Sequence, residues 1–243
     1  MLTSSDHPAT PAGKVWRLSS QPMIQSAIGV AVLAAATASL LVVAVSMVGF
    51  AGWRVEIGLL ALAAFCGLLV LYVWRDMRGK RPWRIDIEPE SVTLDLPANR
   101  SLIHRPPACK TTVPVGDIAA IETRLEVYKG LGGGMMQRPY RLLRKDGEGI
   151  FLFEERALDT AMATASLRPV ATDIASRTGA PLTDLGMASA SSGILGVWFV
   201  RAPDWNAAAL PPAEAARLER GVRLTGAFAL IAVVIAVVLF FVF

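Results

Sequence analysis

Charge is scarce in this sequence. Of 243 residues, 24 are Lys or Arg and 20 are Asp or Glu, together 18%, against roughly a quarter in soluble globular chains. Cysteine and histidine are scarcer still: Cys66, Cys109, His7 and His104. So dispersed a set has no metal-ligand spacing, which argues against a zinc or similar centre. Cys66 lies in an apolar run and Cys109 in the polar middle, so no disulfide is expected between them. Catalytic signatures are missing as well. There is no GxSxG elbow. The stretch Gly130-Leu131-Gly132-Gly133-Gly134 is followed by Met135, Met136 and Gln137, not by Gly-Lys-Ser/Thr or by a helix opened by GxGxxG, which argues against a phosphate loop. The acidic pairs Glu88/Glu90, Glu122/Glu126 and Glu154/Glu155 fall on expected strand edges and turns and read as a solvated face. His104, in IHRPP, reads as an ordinary loop histidine. No cofactor is implied, and a net charge of +4 does not by itself argue for nucleic acid.

What the chain has in abundance is apolar sequence: 53% of it, with a mean hydropathy of +0.48. Three runs account for this. Met23 to Phe50 is apolar almost without a break, and Val55 to Trp74 follows after a very short link. A bilayer core about 30 Å thick needs about 20 such residues in a helix. The short link makes the pair an antiparallel hairpin, with Trp53, Tyr72 and Trp74 at the interfaces. The third run, Leu224 to Phe243, ends the sequence. Apart from Glu56 at the hairpin tip, the runs contain no Asp, Glu, Lys, Arg or His. That argues against an ion or proton path and for an anchor, with Gly29, Ala34 to Ala36 and Ala38 suited to close helix packing.

Basic residues set the expected orientation. Arg75, Arg78, Lys80 and Arg81 follow the second run. Arg217, Arg220 and Arg223 precede the third, and Lys14 and Arg17 precede the first. All fall on one side. The expected layout is a cytosolic tail over 1–22, a transmembrane hairpin over 23–74 and a cytosolic domain over 81–203. A linker and charged helix over 204–223 and a transmembrane helix over 224–243 complete it, with the C-terminus on the opposite side.

The middle region alternates like β structure. Ile85-Ile87 and Val92-Leu94-Leu96 flank the turn-like Glu88-Pro89-Glu90-Ser91. Lys110 to Val115 reads as a strand, Asp117 to Lys129 as a strand or a helix, with its β-branched content and Gly-rich exit favouring strand, and Arg138 to Lys145 and Gly149 to Glu154 as a hairpin turning at Asp146-Gly147. Ala157 to Thr178 reads as a helix kinked or split by Pro169 and stopped by Gly179. Met187 to Trp205 reads as an extra strand or a core-covering segment, or as an interfacial segment with Trp198, Phe199 and Trp205 at headgroup level. The order of elements around VPVGDIAAIETRLEVYKG and RPYRLLRKDGEGIFLFEE resembles the bacterial pleckstrin-homology-like domains found beside transmembrane hairpins, over roughly residues 83–180. The resemblance implies a half-open β-barrel with a C-terminal helix in a bacterial inner-membrane protein, acting as a binding or scaffold module.

The expected protein is therefore a non-enzymatic membrane accessory, assembly or scaffold component whose domain docks on a partner membrane complex. The alternative is an anionic-lipid or ligand-sensing regulator. Arg75, Arg78, Lys80, Arg81, Arg220 and Arg223 are the candidate lipid-facing cluster. Leu131, Met135 and Met136 are the candidate partner-docking loop, through methionine's adaptability.

Overall fold

Two long helices interrupt a β structure that begins before them. The computed structural model describes residues 2–6, 13–48, 50, 52–130, 133–156, 167–190 and 202–224. The third apolar run beyond Leu224, the first half of the expected helix at 157–166, Leu131, and the stretch 191–201 with Trp198 and Phe199 lie outside them.

Strands β1 (Leu2–Asp6) and β2 (Lys14–Leu18) come first, then helices α1 (Gln21–Ser46) and α2 (Trp53–Gly79). Both helices are long and apolar enough to cross a membrane; the 26 residues of α1 reach about 39 Å at about 1.5 Å per residue. Ile28, Val32, Val42, Phe65 and Leu68 are exposed, which an apolar solvent tolerates and water does not. The helices lie antiparallel along each other, with Gly29 against Val73 and the Lys80 ammonium donating to Ser26 Oγ at 3.0 Å. Helix α2 runs on past Trp74 for one more polar turn. Nothing in Arg75-Asp76-Met77-Arg78 opposes a helix; it ends at Gly79 with Lys80 as its cap, short of Pro82, which could not continue it.

The remaining elements are β3 (Arg84–Ile87), β4 (Ser91–Leu96), β5 (Cys109–Pro114), a 3-10 turn at Val115–Asp117, β6 (Ile118–Gly130), β7 (Gly133–Arg144), β8 (Gly149–Arg156), α3 (Arg168–Thr178) and β9 (Leu182–Ala190), then a helix α4 over 212–224. Together they make an α+β protein with two sheets. The first is five-stranded in the order β1-β2-β3-β4-β5, the second four-stranded in the order β8-β7-β6-β9. All neighbours are antiparallel except β6 and β9, which run parallel.

The sequence of 14–18 is therefore not a free tail. Trp16 pairs with Ile85 in β3, on the far side of the whole hairpin. Val15 is buried, and the Trp16 indole donates to Asp173 of α3 at 2.7 Å. No local turn signal announces this strand because its partner lies about 70 residues away.

The core forms where both sheets face α3. Ile85, Ile87, Val92, Leu94 and Leu96 meet Ile121, Tyr140, Leu142, Leu152 and Phe153, with Val170, Ala171 and Ile174 of α3 closing one side. Pro169 does not kink α3; it sits in the first turn, where its missing N–H has no intrahelical partner to lose. Leu167 N donates instead to Glu155 Oε2 at 2.5 Å. Gly179, at φ 70°, ends the helix in the left-handed region that only glycine enters cheaply.

Candidate functional site

The last turns of α2 dock on the domain through several distinct contacts. Tyr72 donates its hydroxyl to the Met135 sulfur at 3.6 Å. Arg75 donates to the Ile103 carbonyl. Asp76 takes Lys80 at 2.6 Å from its own helix and Arg156 of β8 at 2.7 Å. Gly79 packs so closely that a Cβ there meets the Ser101 carbonyl carbon at 3.3 Å and Leu102 N at 3.4 Å. The receiving loop, residues 97–108, is held from the other side by Arg100. That side chain is buried and donates to the carbonyls of Leu152 at 2.8 Å, Pro97 at 2.9 Å, Pro107 at 2.6 Å and Phe151. Burial lowers its pKa to about 10.

Directly behind this junction lies a closed polar cluster. His104 is 1% exposed. Its Nδ1–H donates to Glu154 Oε2 at 2.6 Å. Its Nε2 sits 2.9 Å from the Tyr128 hydroxyl and 3.3 Å from Glu126 Oε2, while Tyr128 donates to Glu126. Ser101 Oγ donates to Glu154 at 2.8 Å and accepts the backbone N–H groups of Ile103 and His104. Glu126 also accepts the Asp204 N–H at 3.2 Å. Neighbouring Arg124, fully buried, donates to the carbonyls of Asp204 and Ala207, so the segment before α4 is strapped to β6.

Burial opposes charge on His104, but its hydrogen bonds to the carboxylates of Glu126 and Glu154 outweigh it and hold its pKa up to about 9; the ring is an imidazolium at neutral pH. Burial likewise opposes charge on Glu126, and the bonds from His104 and Tyr128 reverse that and hold it below the usual carboxylate range. Burial, with Glu126 beside it, raises the Tyr128 phenol.

Several expectations change here. His104 is the centre of a buried network, not an ordinary loop histidine. Glu126 and Glu154 are not solvated; their side chains are 2% exposed. Met135 and Met136 are strand residues of β7, not an open docking loop. Met135 is bonded to Tyr72, and Met136 is buried against Val127 and Val222 of α4. Of the basic residues, Arg75 and Arg78 line one cleft with His104 and Arg105. Lys80 is turned to Asp76 and Ser26, and Arg81 is half-buried. Arg220 and Arg223 lie on α4, where Arg223 pairs with Glu219 at 2.8 Å; neither lines that cleft. Trp205, from the segment read as core-covering or interfacial, lies under the Arg141 guanidinium at 4.5 Å.

The cluster's members come from a loop, from β6 and from β8, so no spacing in the sequence marks them. The one available signal was Arg124, Glu126 and Tyr128 recurring at every second position, the mark of a shared strand face. Comparison with protein families, characterised proteins and solved structures finds no match for this chain.

Proposed function

We propose that this chain is a non-enzymatic membrane scaffold, an accessory or assembly component whose β domain binds a partner membrane complex at a bacterial inner membrane. The observation that carries the reading is the clamp between α2 and the domain. A domain tied by Arg75, Asp76, Tyr72 and the Gly79 contact cannot swing on a tether, so the surface it offers stays at one height and angle to the bilayer. That suits positioning a partner.

The buried cluster supports a structural role over a catalytic one. Ser101, His104 and Glu154 have the composition of a hydrolase triad, but a triad works in series, from nucleophile to base to orienting acid. Here Ser101 Oγ bonds Glu154 directly and lies 3.4 Å from the same ring nitrogen that the carboxylate occupies. The other ring nitrogen faces Tyr128 and Glu126. No ring nitrogen is left as a base.

The pleckstrin-homology-like reading is supported by four antiparallel strands (β2 to β5), three more (β6 to β8) and a helix after them. The transmembrane hairpin between β2 and β3, and β9 beyond the helix, are additions to that pattern. β5 is an edge strand of its sheet, and edges accept partner strands. A photo-crosslinking residue at Lys110 or Thr112, both exposed on β5, should trap a neighbour in native membranes that also co-purifies in mild detergent. A strictly monomeric protein with no crosslinked neighbour from any face would refute the proposal.

A further inference from the structure

Beside the junction is a cleft of about 220 Å³, lined by Trp74, Arg75 and Arg78 of α2 and by Asn99, His104 and Arg105 of the loop after β4. Among the described residues its charged lining is all of one sign, with no carboxylate. Arg105 lies close enough to Arg75 for their charges to act on each other. The Arg78 guanidinium is held over the Trp74 ring at 4.3 Å, which fixes its plane and leaves its N–H edge to point elsewhere. Asn99, at φ 57°, holds the loop backbone in a left-handed turn at the rim. Three arginines lining one cleft can bind a tetrahedral oxyanion through several charge-assisted hydrogen bonds.

The position of the cleft narrows the source of that anion. Trp74 closes the apolar part of α2 and is exposed, as are Leu71 and Leu68 one and two turns deeper. An aromatic ring at this point sits at headgroup level. A phosphate seated on Arg75, Arg78 and Arg105 has apolar helix surface directly below it, along which acyl chains can lie.

We propose that this cleft binds the phosphate of an anionic phospholipid headgroup, held by Arg78 and Arg105 with Arg75 at its floor. The proposal rests on α2 crossing the membrane. It does not rest on the binding of any partner protein, so the two readings fail separately.

The test uses the full-length protein in mild detergent. Wild type, Arg78→Gln/Arg105→Gln and the charge-matched distal control Arg84→Gln/Lys145→Gln are given equal phosphatidylglycerol and phosphatidylcholine. Retained lipid is read by native mass spectrometry. Wild type and control should retain phosphatidylglycerol preferentially, and the cleft variant should lose about tenfold or more of that preference, the effect of two near-surface arginines. Should the double variant misfold, Arg105→Gln alone changes an exposed side chain and should give an intermediate loss. A second arm adds inorganic phosphate to lipid-free protein and reads the melting temperature. Equal retention by all variants would overturn the site. Stabilisation by free phosphate without phosphatidylglycerol preference would overturn its assignment to lipid.

Discussion

Replacing His104 by Gln tests the buried cluster most sharply. The imidazolium is faced by Glu126 and Tyr128 from β6 and by Glu154 from β8. Arg75 of α2 and Arg105 of its own loop share the cleft it borders. Its pKa rises from 6.5 to about 9 on folding, and at about 1.36 kcal/mol per tenfold in proton affinity the folded state gains about 3 kcal/mol from the proton. The sign follows from the direction. The folded value is the higher one, so this stability is fully present below pH 6.5, shrinks as pH rises, and is gone above about pH 9. Removing the cation also strands two buried carboxylates, so at neutral pH the variant should lose about 3–5 kcal/mol. The gap between wild type and variant should then narrow by about 3 kcal/mol on going from pH 6.5 to 10, because the wild-type ring has by then lost its own proton. Lysines and other tyrosines titrate in both proteins and cancel in the difference. Denaturation of full-length protein in micelles, followed by the fluorescence of its six tryptophans, measures the gap. The chain has only two histidines, so histidine-labelled NMR reads the proton directly, with His7→Ala assigning the signals. A gap that stays constant across this range, or a His104 signal that titrates near 6.5, would refute the reasoning.

Gly79→Val should loosen the clamp, because even a bare Cβ at that position meets the backbone of Ser101 at 3.3 Å. A loss of about 1–3 kcal/mol is expected, along with faster proteolysis near residues 97–108. Asp76→Asn keeps the shape but removes the charge shared by Lys80 and Arg156; a smaller loss, about 1 kcal/mol, should disappear in high salt. Ile174→Ala empties a fully buried position under both sheets and should cost about 2–5 kcal/mol in the same denaturation assay. Deleting residues 2–18 should lower the melting temperature, since it uncovers β3 and removes the Trp16 bond to Asp173.

The β3–β4 and β7–β8 hairpins were legible because they carry local marks, whereas β6 also read as a helix and the start of β7 read as a loop. Val92, Leu94 and Leu96 alternate into the core, and Asp146-Gly147 supplies the hairpin turn, with Gly147 at φ 88°. The β2 strand had no such mark, since two whole helices separate it from its partner. The polar cluster was hidden for a different reason. Alternation reads the polar positions of a strand as its wet side, and that inference fails for β6, which is covered on both faces. Val127 meets Met136 and Val222 on one side, and Tyr128 meets the loop at Leu102 and Ile103 on the other. Glutamates there are dry because of elements remote in sequence. The methionines misled in the opposite sense: placed after a glycine-rich stretch they look mobile, but the β6–β7 pairing continues to Gly130 and Gly133 and turns both into packing residues.

The pairing of β2 with β3 also constrains how the molecule is made. β2 is synthesised early, yet its partner β3 emerges only after both apolar helices. Were only one of the two helices to cross a bilayer, Lys14–Leu18 and Arg84–Ile87 would stand on opposite sides of it and could not pair. On the membrane-spanning reading proposed above, completion of the sheet therefore requires the two helices to cross as a pair. Until then the nascent chain carries an unpaired strand, the kind of exposed edge that makes folding intermediates prone to aggregation.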